Sequence, residues 1–290
     1  MGPLELTEVP FFPDDKTLFG PSALATVLGH AGANVSVEEA ADQVYLPRRK
    51  GSLQAEMLGG IRRQGLMPLA LPGEPEALIE AIRAGYPVLV LQQLRRLWLT
   101  RWHYAVVVGY RSETDAFVLR SGREERKHMP MAEFMASWAP AEHWAYVAID
   151  SNTLPEIATA ETYLQGAIGL ESAGQFALAG QAFALGMQRW PEEPLFGFGM
   201  ANALLQANRP VRAVDAYRQV LTAHPNHVAS RNNLAFLLHS LGCTDAARRQ
   251  LEQALAIPDL DPVSQQLLEQ TQGQIADIDP VPNCLVEEVD

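Results

Sequence analysis

Between residues 174 and 251 the same residue types return every 34 positions. Ala179, Ala213 and Ala247 share this spacing, as do Phe183, Tyr217 and Leu251, the turn formers Gly174, Asn208 and Gly242, and the prolines Pro191 and Pro225. A period of this length accommodates two helices and their turns. A small Ala lets two helices cross closely, and a large apolar side chain four positions later fills the next layer. Gly or Asn turns the chain, and Pro ends the second helix. One such unit cannot bury its apolar face alone, so copies must stack. The spacing predicts three helical hairpins at about 160–193, 194–227 and 228–261, then an amphipathic segment from Pro262 to Ile278 that caps the stack. The Pro- and acid-rich tail, 279–290, reads as frayed.

The period and residue types of this half resemble the tetratricopeptide repeat family, which implies a binding array rather than a catalyst. By that resemblance the first helix of each repeat lines a concave face, which assigns Leu164, Ile168, Phe198, Asn202, Leu205, Asn232, Phe236 and His239 to it. Each of them either faces the groove or packs between repeats. The set is mainly apolar with two amides and lacks the basic pattern that captures a chain-terminal carboxylate. A helix or an extended apolar peptide is the expected ligand.

Composition narrows the classes further. With 290 residues, 48% of them hydrophobic and 19% charged, the chain is long enough for two domains and is neither disordered nor fibrous. A mean hydropathy of -0.05, with no long apolar run, excludes a transmembrane segment. The formal charge of -12 argues against a nucleic-acid partner. Fifteen basic and 18 acidic residues precede position 151, against 7 and 16 after it, so the acidity lies mainly in the second half. The element-breaking run Ser151-Asn152-Thr153-Leu154-Pro155 marks the boundary, giving a domain at 1–150, a linker at 151–159 and the array at 160–278. Both cysteines, Cys243 and Cys284, lie in the last fifth of the chain and read as unpaired with any chemistry. The start, Met1-Gly2-Pro3, carries no export signal, so the literal reading is cytoplasmic; a periplasmic or envelope location follows if a signal segment was removed. No cofactor or metal motif is present: the pair His224 and His227 flanks a proline at a helix-ending turn, a poor metal site.

In the first half, helical signals precede strand signals. Pro21 to His30 reads as a buried helix with Pro in its first turn, Ser36-Val37-Glu38-Glu39 as a capping box opening a second, Ser52 as the cap of a third, and Pro75 to Ala84, closed by Gly85, as a fourth. Strands are expected at Pro87–Leu91, His103–Tyr110, Ala116–Arg120 and Trp144–Ile149. Helices followed by a sheet make an α+β, papain-like order.

Two segments make this specific. Val9-Pro10-Phe11-Phe12-Pro13 with Phe19-Gly20-Pro21-Ser22-Ala23-Leu24 resembles the opening of C39-type peptidases, whose first helix starts on Cys-Gly-Pro-Ala-Ala-Leu. Arg101-Trp102-His103-Tyr104-Ala105-Val106-Val107-Val108-Gly109-Tyr110 resembles their catalytic-histidine strand. With Tyr45-Leu46-Pro47 and Lys50-Gly51-Ser52-Leu53-Gln54, the resemblance spans about 140 residues, and it is similar to bacterial C39-like proteins that carry tetratricopeptide repeats. In active members a cysteine at a helix N-terminus attacks, a strand histidine takes its proton, an acidic residue on the next strand orients the histidine, and an upstream glutamine helps form the oxyanion hole. The resemblance puts Phe19 at the nucleophile, Asp14 in the glutamine region and Arg120-Ser121-Gly122 at the acid. Of the set, His103 remains, and it reads as a hydrogen-bonded strand histidine rather than a general base. Ser22, one turn into the helix, is expected to point elsewhere; Asp115 or Glu113 is in reach to orient the imidazole.

Leu94 to Trp102 interleaves basic and aromatic residues. It reads either as a mobile loop beside the cleft, on which Trp98 and Trp102 anchor a partner, or as a solvated loop with one buried Trp. These observations point to a non-catalytic peptide- or protein-binding chain: a degenerate C39-like cleft plus a tetratricopeptide groove, acting as adaptor or scaffold in a bacterial processing, export or envelope assembly. The alternatives are a residual hydrolase using His103 with another nucleophile, and a purely structural scaffold.

Overall fold

The computed structural model describes residues 4–14, 18–96, 99–276, 284 and 286. They form two compact units, Met1–Gly174 and Gln175–Asp290.

The first unit is an antiparallel sheet of seven strands with helices packed on it: β1 (Leu4–Glu5), β2 (Leu66–Ala70), β3 (Val88–Arg96), β4 (Leu99–Arg111), β5 (Ala116–Ser121), β6 (Glu124–Pro130) and β7 (Ala145–Asp150). The order is β2-β7-β3-β4-β5-β6, and β1 pairs with β4 at Gly109 and Tyr110. Gly109 is required there, because a Cβ would lie 2.8 Å from the Leu4 carbonyl oxygen. Helix α1 (Phe19–His30) is buried from Gly20 to Leu28. Its Leu24 and Leu28 pack with Met57 and Ile61 of α3 (Gln54–Arg63) against Tyr104, Val106, Val108 and Val118 of the sheet. The capping box of α2 (Val37–Val44) is formed as expected: Glu39 N–H donates to Ser36 Oγ at 3.1 Å and Ser36 N–H to the Glu39 carboxylate at 2.9 Å. Helix α4 (Pro75–Arg83) ends at Ala84, and Gly85 takes φ 92°. Ser52 does not cap α3: the cap position is Leu53, and Ser52 Oγ is buried without a hydrogen-bond partner.

The short strand β1 and three longer elements escaped the sequence reading. Strand β2 has the sequence Leu-Met-Pro-Leu-Ala, with no β-branched residue and a proline in its middle. Strand β6 is charged and largely exposed along its length, and α5 (Met131–Trp138) follows it directly. The expected loop at Leu94 to Trp102 is corrected: β3 and β4 continue as a paired ribbon, with Leu94 opposite Arg101 and Arg96 opposite Leu99. Backbone pairing outweighs the low strand propensity of the arginines here.

Helix α6 (Ala160–Ser172), the first helix of the first repeat by spacing, belongs to this unit. It lies on β2 so closely that a Cβ on Gly166 would meet Met67 Sδ at 2.8 Å. The sequence boundary at 151–159 therefore falls ahead of the helix that closes the first compact unit.

The second unit contains α7 (Phe176–Arg189), α8 (Pro194–Gln206), α9 (Pro210–Ala223), α10 (Val228–Ser240), α11 (Thr244–Leu255) and α12 (Pro262–Ala276). Helices α6, α8 and α10 begin 34 residues apart, and so do α7, α9 and α11. Ala179, Ala213 and Ala247 are fully buried, as are Phe183 and Tyr217, with Leu251 nearly so. Gly174, Asn208 and Gly242 all take the left-handed conformation that turns the chain between helices. Among the described residues no helix is long and apolar enough to cross a membrane.

The reading of two unattached cysteines is corrected. Cys243 and Cys284 form a disulfide across 41 positions, and Val286 is buried in the same apolar cluster as Leu251, Leu268 and Ile275. The remainder of 279–290 lies outside the described residues.

Candidate functional site

Phe19 opens α1, and His103 lies in β4, the strand against which α1 packs. Helix and strand bring residues 84 positions apart into contact: the two ring centroids are 4.3 Å apart, edge to face at 70°. The Arg101 guanidinium lies over the Phe19 ring, its central carbon 4.5 Å from the ring centroid. This is a cation–π contact.

His103 is 4% exposed, and its Nε2 lies 2.8 Å from Ser121 Oγ at the end of β5. Burial, reinforced by the positive charges of Lys127 and Arg101, lowers the imidazole pKa from 6.5 to about 4. The ring is neutral at physiological pH. Unfolding exposes it and restores its ordinary affinity for protons, so between pH 6.5 and 4 the unfolded chain binds more protons. Stability therefore falls with falling pH across that window, by about 3 kcal/mol for this group, and levels off below it. Urea unfolding at pH 7 and pH 4.5 checks this: His103→Gln is expected to lose visibly less stability on acidification than the parent chain.

The other candidates for this centre go elsewhere. Ser22 Oγ is buried with no hydrogen-bond partner and does not reach His103. Asp115 accepts a hydrogen bond from the Tyr110 hydroxyl at 2.9 Å, and Glu113 is exposed. Asp14 is buried beside Ser22 and Arg120 around a cavity of about 10 Å³, and its backbone N–H donates to Gly122 O at 3.0 Å. Arg120 is buried and directs its guanidinium to backbone carbonyls: Glu125 O at 2.6 Å, Val9 O at 3.1 Å and Thr7 O at 3.4 Å. The pairing of β5 with β6 shifts register between Leu119 and Ser121, and it is Ser121, next to Arg120, that meets the imidazole. The sequence places the run Arg120-Ser121-Gly122 at this point, but no local signal singles out Ser121 within it.

Two open cavities flank the Phe19–Arg101 pair. One, of about 700 Å³, is lined by Arg49, Lys50, Ser52, Leu53, Trp102 and Glu142 among others. The second, of about 800 Å³, includes His103, Ser121, Arg123, Glu124, Lys127 and Glu133. Phe19 and Arg101 border both. Trp102, 50% exposed, lines the first, whereas Trp98 lies outside the described residues.

Of the residues assigned to the repeat groove, Leu164 is buried and Ile168 partly so, both on α6 in the first unit. Asn232 and His239 are buried in α10, and His239 Nδ1 lies 3.2 Å from Thr244 Oγ1. Asn202 accepts hydrogen bonds from the Tyr217 hydroxyl and from Asn233 Nδ2, the latter at 3.3 Å. Phe198 stacks at an angle on Tyr217 and His227. Leu205 and Phe236 are the two left well exposed, at 37% and 49%. No cluster of three or more metal-ligating side chains occurs among the described residues.

Comparison with known proteins follows the same division. The model of the Peptidase_C39 like family matches residues 7–146, and a tetratricopeptide repeat model matches residues 204–271. No curated protein matches the chain. Similar solved structures include a protein described as a C39-like peptidase from Bacillus anthracis, at 16% identity and a TM-score of 0.43 over 52% of this chain and 98% of that one. The peptidase domain of Streptococcus ComA, a bifunctional ABC transporter involved in quorum sensing, is 18% identical with a TM-score of 0.41, covering 49% and 99%. A double-glycine-motif protease from an AMS/PCAT transporter, in complex with its leader peptide, is 20% identical with a TM-score of 0.39, covering 50% and 96%.

Proposed function

We propose that this chain, whose residues 7–146 form a C39-like peptidase-family domain and whose residues 204–271 carry a tetratricopeptide repeat, is a non-catalytic adaptor that holds peptide or protein segments in its cleft and a second protein on its repeats. The observation that carries the reading is the environment of His103. The residue in contact with the imidazole at the start of α1 is Phe19, its ring centroid 4.3 Å away, and both of the chain's cysteines are bonded to each other at Cys243 and Cys284. A phenyl ring has no proton to give and no lone pair with which to attack a carbonyl. Asp14 in the upstream segment is an acceptor when ionised and offers no donor to a developing oxyanion. The partly exposed cavities on either side of Phe19 are left as binding space. The repeats suit protein–protein interaction, with Leu205 and Phe236 as exposed apolar contacts.

One observation favours a second reading, a hydrolase in which Ser121 attacks with His103 as base: their 2.8 Å separation. Against it, an imidazole with a pKa of about 4 is a weak base at neutral pH, and Ser121 is 7% exposed. Incubation of the purified chain with a double-glycine leader peptide, followed by mass spectrometry, is expected to return the peptide intact, and a fluorophosphonate probe is expected to leave Ser121 unlabelled. Cleavage abolished by His103→Ala overturns the adaptor reading. Labelling lost in Ser121→Ala establishes the serine hydrolase in its place.

A further inference from the structure

We infer that the cavity on the Arg49 side of Phe19 is a receptor for the free C-terminal carboxylate of a peptide with apolar last residues. This rests on the proposal that the cleft binds peptide and specifies which part of a peptide it takes.

Three observations converge. The first is the charge of the wall. Among the described residues, the cations Arg49, Lys50 and Arg101 line this cavity of about 700 Å³ with one carboxylate, Glu142. In the neighbouring cavity Arg101, Arg123 and Lys127 are balanced by Asp14, Glu124 and Glu133. Opposite formal charge is therefore favoured on one side of Phe19 and not on the other. Helix α1 adds to this. It starts at Phe19, on the cavity rim, with no side-chain cap and no acidic residue in its first turn, and the N-terminus of a helix carries positive partial charge.

The second is the polar and apolar lining. Ser52 Oγ, in the wall beside Gly20, makes no hydrogen bond within the protein. Leu53 and Trp102 are 40% and 50% exposed on the same cavity. A cationic rim with a leucine and an indole beside it matches a carboxylate attached to an apolar side chain better than it matches an inorganic anion.

The third is the partition. Phe19 and Arg101 are the two residues common to both cavities, and they are in contact over the ring face. An extended chain running through the cleft would have to displace this pair. A chain that ends beside it does not, and its terminal carboxylate then lies among the exposed cations Arg49 and Lys50 of the same wall, where charge-assisted hydrogen bonds are the strong ones.

The test uses the full chain and an N-terminally fluorescein-labelled peptide ending in Ala-Leu-Leu as free acid, its C-terminal amide, and a longer peptide with the same run placed internally. Anisotropy titrations are expected to give the free acid at least about tenfold tighter binding than either other form, the size of one lost charge-assisted hydrogen bond. Arg49→Gln combined with Lys50→Asn, both at exposed positions, is expected to erase that difference, while Arg123→Gln in the other cavity leaves it. Equal binding of acid and amide overturns the chain-end assignment but keeps a peptide-binding cleft. Competition by millimolar phosphate equal to that of the free acid assigns the site to anions at large and overturns the peptide terminus. No binding of any of the three peptides overturns both this inference and the cleft reading.

Discussion

Arg120→Met is expected to lower the stability of the first unit by about 3 kcal/mol or more, the sum of hydrogen bonds to a charged donor at roughly 1.5–3 kcal/mol each less what relaxation recovers. The guanidinium is 5% exposed and donates to Glu125 O on β6 and to Val9 O and Thr7 O in the segment ahead of α1. Methionine keeps the volume and removes every donor, so the buried Val9 carbonyl and the part-buried Glu125 and Thr7 carbonyls lose this partner. The segment that leads into Phe19 then keeps its backbone bonds to Val108 and Gly122 but loses its side-chain tie to β5, and proteolytic nicking before residue 19 should rise with it. Arg120→Lys recovers little, because one ammonium cannot span carbonyls that a planar fork reaches together. Urea midpoints for the three proteins decide the matter; an Arg120→Met midpoint equal to the parent's would mean that these bonds carry no net stability.

Opening the Cys243–Cys284 bridge, by reductant or by replacing both residues with Ser, is expected to destabilise the second unit by about 4 kcal/mol in the chain-entropy account of a loop this long. The bridge joins the turn before α11 to the tail across 41 positions. It also holds Val286 in the apolar cluster under α12. For a unit of this size the midpoint of thermal unfolding should fall by on the order of 15 °C. Cys243→Ala alone should match the double Ser variant, since a bridge is lost whole. A reductant-insensitive melting curve for the parent chain would be incompatible with the bridge contributing in this way.

The repeat half was legible because its determinants are local. Ala213 and Tyr217 are one helical turn apart, and Asn208 turns the chain just before them, so the spacing of residues along the sequence is already the geometry of the hairpin. What escaped there, the bridge to Cys284, joins residues whose separation says nothing about their distance. In the sheet half, α1, the α2 capping box and the hydrophobic strands β3, β4, β5 and β7 carried clear local marks. Strands β2 and β6 did not: one contains Pro68, the other is mostly charged, and each is a strand because a neighbour supplies its hydrogen bonds. The candidate centre was legible as a list of positions and not as an arrangement. Phe19 and His103 were both singled out, but Arg120 was placed at the centre when it ties down backbone, and Ser121 was passed over although it meets the imidazole.

Residue chemistry alone settled two things about this protein: that its second half is a stacked 34-residue helical repeat, and that no thiol occurs in the region resembling the C39 peptidases. Both are properties of identity and spacing, which folding cannot alter. Folding decided the rest. It put the Phe19 ring against His103 and under Arg101, so that this pair borders two cavities. It also paired the cysteines and extended the sheet unit through α6. Each of these joins residues far apart along the chain, and such contacts form only where packing of the whole unit offsets the entropy of bringing them together.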